Sequence, residues 1–182
     1  MGLRRSKEPV KPGLLKAAEQ TISCRIIGID PGLASTGWGV IDSSRGRLRY
    51  VAHGCIETPS GEGRGERLLS IYKSLTKALK TYEPAKAAIE NLFFSRNVSS
   101  AMAVAEARGV LFLALEAQGL PVLELTPNAI KKGVVGVTKA DKKQVQEMVR
   151  LILGLKEIPK PDHSADALAA AICAANQVTI DR

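Results

Sequence analysis

The chain has 182 residues, 45% of them hydrophobic, with a formal charge of +8 and a pI near 9.6. That length suits one domain with a proper core and makes two compact domains a squeeze. Its longest apolar runs, such as residues 110–115, are far too short to cross a bilayer, and the positive charge favours a polyanionic partner, nucleic acid first.

Residues 1–24 carry five Lys/Arg against two Glu and are broken by Pro9 and Pro12-Gly13. They read as a flexible extension that the fold could lose, which leaves a domain over residues 25–178. Cys24, Cys55 and Cys173 are scattered without CxxC spacing. This pattern implies reduced thiols in a cytosolic protein and no zinc knot.

The apolar run Ile26-Ile27-Gly28-Ile29 ends on Asp30 and turns through Pro31-Gly32 into a second run, Trp38–Ile41. This predicts a strand, a tight turn and an antiparallel return strand. Asp30 then stands at the mouth of the sheet, a usual place for chemistry in α/β proteins, although Asp-Pro-Gly is equally good turn chemistry. Leu48–Thr58 reads as a third strand, with Gly54 a candidate bulge. After the Gly-rich stretch 59–65, the residues Leu68, Leu69, Tyr72, Leu75, Leu79 and Tyr82 recur at helical spacing and Pro84 ends the helix. Ala85–Glu90 is a short strand that again ends on an acid. A long apolar helix over Ser99–Gln118, a strand at Val122–Leu125, a short helix opened by Thr126-Pro127, an amphipathic helix over Asp141–Leu153 and a final helix from Pro161-Asp162 complete the chain. The fold class expected is a five-stranded mixed α/β sheet with helices on both faces.

Asp30 ends the first strand and Glu90 the fourth, and these strands can be parallel neighbours. His163 and Asp166 are three apart on one helix face. Three carboxylates and an imidazole gathered at one point repel unless a cation joins them, which predicts a hard divalent metal. Two such metals suit phosphodiester hydrolysis. Each residue also has a plain structural explanation. Glu90 could be a solvated strand end, Asp166 gains from the helix dipole, and Asp162 reads as the N-cap of the last helix.

Three separated signatures resemble the RuvC family of Holliday-junction resolvases: GIDPG-x4-TG-x-GV, AIE-x-x-FF-x-RN and H-x-x-DALA-x-AI. The resemblance covers Arg25 to Asn176. It implies an RNase H-like fold, a homodimer, paired Mg²⁺- or Mn²⁺-dependent nicking of four-way DNA junctions, and partnership with the branch-migration proteins RuvA and RuvB. Carried over by position, the metal-binding quartet is Asp30, Glu90, His163 and Asp166. His163 stands where the best-known relatives have Asp. A softer imidazole predicts a preference for Mn²⁺ over Mg²⁺, and the helix N-terminus is expected to keep it neutral. It could instead position a water or the scissile phosphate.

Of the adjacent Phe93 and Phe94, only one can point into the core. The resemblance assigns base stacking at the junction centre to Phe93, and Arg96 is a candidate phosphate contact. Lys131 and Lys142 match lysines that the family uses near the cut phosphate, whereas Arg45, Arg47 and Arg49 read as ordinary surface charge. The helix over Ser99–Gln118 is apolar on enough faces to meet a second subunit. The chemically nearest alternative is another RNase H-fold nuclease acting on a branched or hybrid nucleic acid. An actin- or Hsp70-like ATPase would need a second lobe and a phosphate loop that this chain lacks.

Overall fold

The strand that ends on Asp30 is the centre of the sheet. In the computed structural model, which describes residues 23–91 and 98–180 with the side chains of 98–100 and 178–180 excepted, β1 (Cys24–Asp30) pairs antiparallel with β2 (Ser35–Ser44) and parallel with β4 (Lys86–Glu90). β3 (Arg47–Glu57) flanks β2 and β5 (Val122–Leu125) flanks β4, giving the order β3-β2-β1-β4-β5. This is the expected five-stranded mixed sheet.

The helices divide between the two faces. The side chains of β1 alternate. Ile27 and Ile29 join Val40, Ala87 and Ile89 under α1 (Arg64–Tyr82) and α2 (Val98–Glu116). Ile26 joins Ile41 and Ala88 under α3 (Pro127–Val135), α4 (Lys142–Ile152) and α5 (Asp162–Ile180). Local signals set the helix ends. Gly63 donates its N–H to Glu66, and Glu83 closes α1 in the left-handed region before Pro84. The Thr126 hydroxyl caps α3, and Asp141 caps α4 with a reciprocal bond from Gln144. The buried stripe of α1 runs through Ile71, Leu75, Ala78 and Leu79, and Leu69, expected on that stripe, is exposed.

α5 lies directly on the sheet because the strands beneath it carry glycine at the crossing points. A Cβ on Gly37 would stand 1.9 Å from the His163 carbonyl oxygen, and one on Gly28 would stand 1.9 Å from that of Ala167. Neither distance is compatible with any side chain. Alanines and Leu168 and Ile172, fully buried, fill the rest of the contact. The β-bulge falls between Val40 and Ile41 of β2, where β3 spends the extra residue Val51. Gly54, expected to be the bulge, is in register with Trp38, and its missing side chain makes room for that indole.

Candidate metal centre and nucleic-acid face

β1 and β4 run in register through Ile29 and Ile89, so Asp30 and Glu90 end neighbouring strands side by side. Strand alternation aims both carboxylates at the α5 face, since Ile29 and Ile89 point the other way into the α1/α2 layer. The turn that follows Asp30 is braced by the fully buried Thr36, whose hydroxyl donates to the Gly32 carbonyl at 2.6 Å. Thr58 donates to the Leu33 carbonyl at 2.5 Å.

α5 brings in the other half. His163 Nδ1 lies 2.7 Å from Asp30 Oδ2. One ligand-type atom from each of Asp30, His163 and Asp166 falls within 4.8 Å of the others. Glu90 shares a cavity of about 200 Å³ with Asp166, Lys131 and Lys142 over a floor of Ile130 and Val145. Three members of the expected quartet therefore cluster, and Glu90 stands outside that cluster, at the end of the neighbouring strand in the cavity it shares with Asp166.

Burial and like-charge repulsion dominate the electrostatics of the cluster. Burial, then the charges of Asp30 and Asp166, raise the Glu90 pKa to about 7 against the partial relief of Lys131 and Lys142. Burial, then Asp30, also raises Asp166 above the usual aspartate value. His163 is raised as well, first by its hydrogen bond to Asp30 and against its own desolvation. The hydrogen bond to Asp30 thus works against the expectation that the helix N-terminus holds His163 neutral. Hard oxygen donors plus one imidazole are a donor set that fits a divalent ion.

Lys142, in the first turn of α4, reaches back across the cavity, with Nζ 3.0 Å from Asp162 and 3.4 Å from Asp166. Burial works against its charge, but the hydrogen bond to Asp162 and the field of Asp166 prevail and raise its pKa. Asp162 is the first residue inside α5 and not its N-cap, and its carboxylate is engaged with Lys142. Sequence reasoning missed this partner because the pairing depends on how α4 docks against α5. Phe93 and Arg96 lie outside the described residues. The second histidine, His53, stands apart from the cluster. Its Nδ1 is 3.0 Å from the Tyr50 hydroxyl, and its ring also bonds the Lys160 backbone.

Comparisons with known proteins converge on one family. The family model "Crossover junction endodeoxyribonuclease RuvC" matches residues 26–174. A relative of that name from Treponema denticola is 52% identical over 166 residues, 90% of this chain and 93% of its own length. One from Chloroflexus aggregans is 51% identical over 149 residues, covering 82% and 91%. Among solved structures, Thermus thermophilus RuvC in complex with a Holliday junction substrate superposes with a TM-score of 0.83 at 34% identity, over 87% of this chain and 96% of that one.

Proposed function

The chain belongs to the RuvC family of crossover junction endodeoxyribonucleases, and from that premise we propose that Asp30, Glu90, His163 and Asp166 are its catalytic metal ligands, holding two Mg²⁺ or Mn²⁺ ions. It is a metal-dependent DNA endonuclease that resolves Holliday junctions. The convergence of Asp30, His163 and Asp166 within 4.8 Å, with Glu90 raised to about 7 beside them, carries the assignment.

Divalent ions in such a site supply positive charge to both the attacking and the leaving oxygen of an in-line displacement. The residues do the rest. Asp30, on the central strand, is fixed by the braced turn and bridges β1 to α5 through His163. His163 Nδ1, 2.7 Å from Asp30 Oδ2, positions the imidazole beside the carboxylate that would hold a cation. Lys142 then keeps Asp162 as its anchor and, with Lys131, faces the scissile phosphate across the cavity. Phe93 stacks on a base at the junction centre and Arg96 holds a nearby phosphate.

The nuclease domain is residues 25–178, with residues 1–24 as an accessory extension. It acts as a homodimer, so that two sites meet the two symmetric strands. Exposed Met102 and Leu113 on α2, half or more accessible, support a contact there. RuvA and RuvB are its branch-migration partners. Its relatives are bacterial, no helix among the described residues is long and apolar enough to cross a membrane, and we assign it to the bacterial cytoplasm.

The test is a four-way junction, a linear duplex and an RNA–DNA hybrid, each with Mg²⁺, Mn²⁺ or EDTA. Paired symmetric nicks in the junction alone are expected, and hybrid cleavage would move the reading to an RNase H-type activity. Asp30→Asn should bind the junction without cutting it. Retained cutting would remove Asp30 from the ligand set.

A further inference from the structure

Glu90 stands at a strand end with support on one side. The pairing of β4 with β1 stops at Ile29 and Ile89. Beyond that point the chain is tied toward β5, where Glu90 pairs with Leu125 and the Asn91 N–H donates to the Leu125 carbonyl at 2.7 Å. Glu90 shares its cavity with Asp166, and the negative charges of Asp30 and Asp166 work against its own. Repulsion of that kind pushes the end of the strand away from the site.

A contact from the opposite layer holds it. Successive side chains leave opposite faces of a strand. Ile89 lies in the α1/α2 layer, Glu90 faces α5, and Asn91 returns toward α2. There Arg108 Nη2 donates to Asn91 Oδ1 at 2.8 Å and also engages the Glu124 carboxylate. Glu124 is the β5 partner of Ile89, so one guanidinium spans the ends of β4 and β5. Its Cζ lies 4.7 Å from the centre of the Phe112 ring, one turn along α2, and that stacking fixes the plane of the fork. Glu124 by itself would complete an ion pair. The second acceptor, Asn91, is the residue that follows the acid.

We propose that Arg108, through Asn91, is a positioning residue that holds the end of β4 so that Glu90 stays aimed at the cluster of Asp30, His163 and Asp166. The proposal rests on the reading of Glu90 as a metal ligand. Pinning the Asn91 side chain to α2 fixes the peptide that joins it to Glu90, and strand alternation then keeps the carboxylate on the α5 side. Without the pin, repulsion turns the last strand residue outward and three ligands remain in place of four. Groups that orient a ligand without touching the metal are worth about 10–100-fold in metal affinity.

The test is Mn²⁺ binding to the full-length protein, read from the electron paramagnetic resonance signal of unbound Mn²⁺. Asn91→Ala and Arg108→Met should each weaken binding about tenfold, and Asn91→Asp, which keeps an oxygen for the guanidinium, should not weaken it. Melting curves establish that each variant is folded, and Asn91→Ala carries the test where Arg108→Met does not fold. In a Glu90→Gln background Asn91→Ala should add nothing, because the carboxylate it positions is gone, whereas a merely structural residue would add its own loss. Single-turnover cutting of a junction by Asn91→Ala should fall at limiting Mn²⁺ and recover at saturating Mn²⁺. Additive losses in the double variant would overturn the proposal. Wild-type affinity in Asn91→Ala beside a weakened Glu90→Gln would defeat the positioning role alone. If Glu90→Gln itself binds Mn²⁺ as tightly as wild type, the ligand reading of Glu90 fails first.

Discussion

Replacing Gly37 by alanine tests how the last helix sets the metal centre. The new Cβ would fall 1.9 Å from the His163 carbonyl oxygen and 2.3 Å from its carbonyl carbon. Restoring an ordinary C···O contact takes a separation of about 1.4 Å between β2 and α5. No rotamer can absorb it, because both obstructing atoms are main chain. The residue pushed away is His163 itself, so its 2.7 Å bond to Asp30 breaks. A misplacement near 1 Å costs about 10²-fold in rate, while overpacking costs about 1–3 kcal/mol of stability. Gly39→Ala is the matched control. Its Cβ meets chiefly the Leu168 side chain, with Cγ at 2.5 Å, and a side chain can give way. Both variants should melt lower by a few degrees, at about 2–4 °C per kcal/mol. Only Gly37→Ala should also lose the rise in melting temperature on adding Mn²⁺ and cut junctions about 100-fold more slowly in single turnover. Wild-type cutting and an intact metal response in a folded Gly37→Ala protein would refute the reasoning.

Proton linkage gives a second expectation. Glu90, at about 7, and His163, raised by Asp30, both hold protons more tightly folded than unfolded. Their contribution to stability is therefore complete at acid pH and lost as pH rises, for Glu90 through about 7. In EDTA the melting temperature should fall between pH 5 and 8, with Glu90 accounting for as much as about 3 kcal/mol. Divalent metal should reverse the trend, and Glu90→Gln should flatten it; a curve that rises in EDTA and ignores this substitution contradicts the assignment. His163→Asp should shift the ratio of Mn²⁺- to Mg²⁺-supported cutting toward Mg²⁺, and an unchanged ratio across a metal titration would show that the imidazole does not set the preference.

Much of this architecture was legible from residue patterns. The β1–β3 meander, the two acids closing parallel strands, and the turn chemistry at Asp141 and Thr126 all follow from local periodicity and capping. What escaped was set by contacts between distant segments. The bulge sits at Val51 because pairing with β2 chooses the register, and no local signal distinguishes it from Gly54. Asp162 has the chemistry of a cap, yet the docking of α4 supplies Lys142 as its partner. The charge state of His163 depends on a carboxylate 133 residues away. Leu69 has the spacing of a core residue but faces out, because the width of the buried stripe depends on what α2 covers.

The seating of α5 has a consequence for biosynthesis. This one helix closes the lower core through Leu168 and Ile172 and also delivers His163 and Asp166 to Asp30. A chain emerging from the ribosome has made both strand-end acids long before residue 163, and it holds them in a sheet with one face uncovered. Cutting competence and full burial of the core therefore arrive together, in a late, long-range folding step. A chain that ends before α5 lacks two of the four proposed ligands and the helix that covers this face of the core, and is expected to be destabilised and unable to cut.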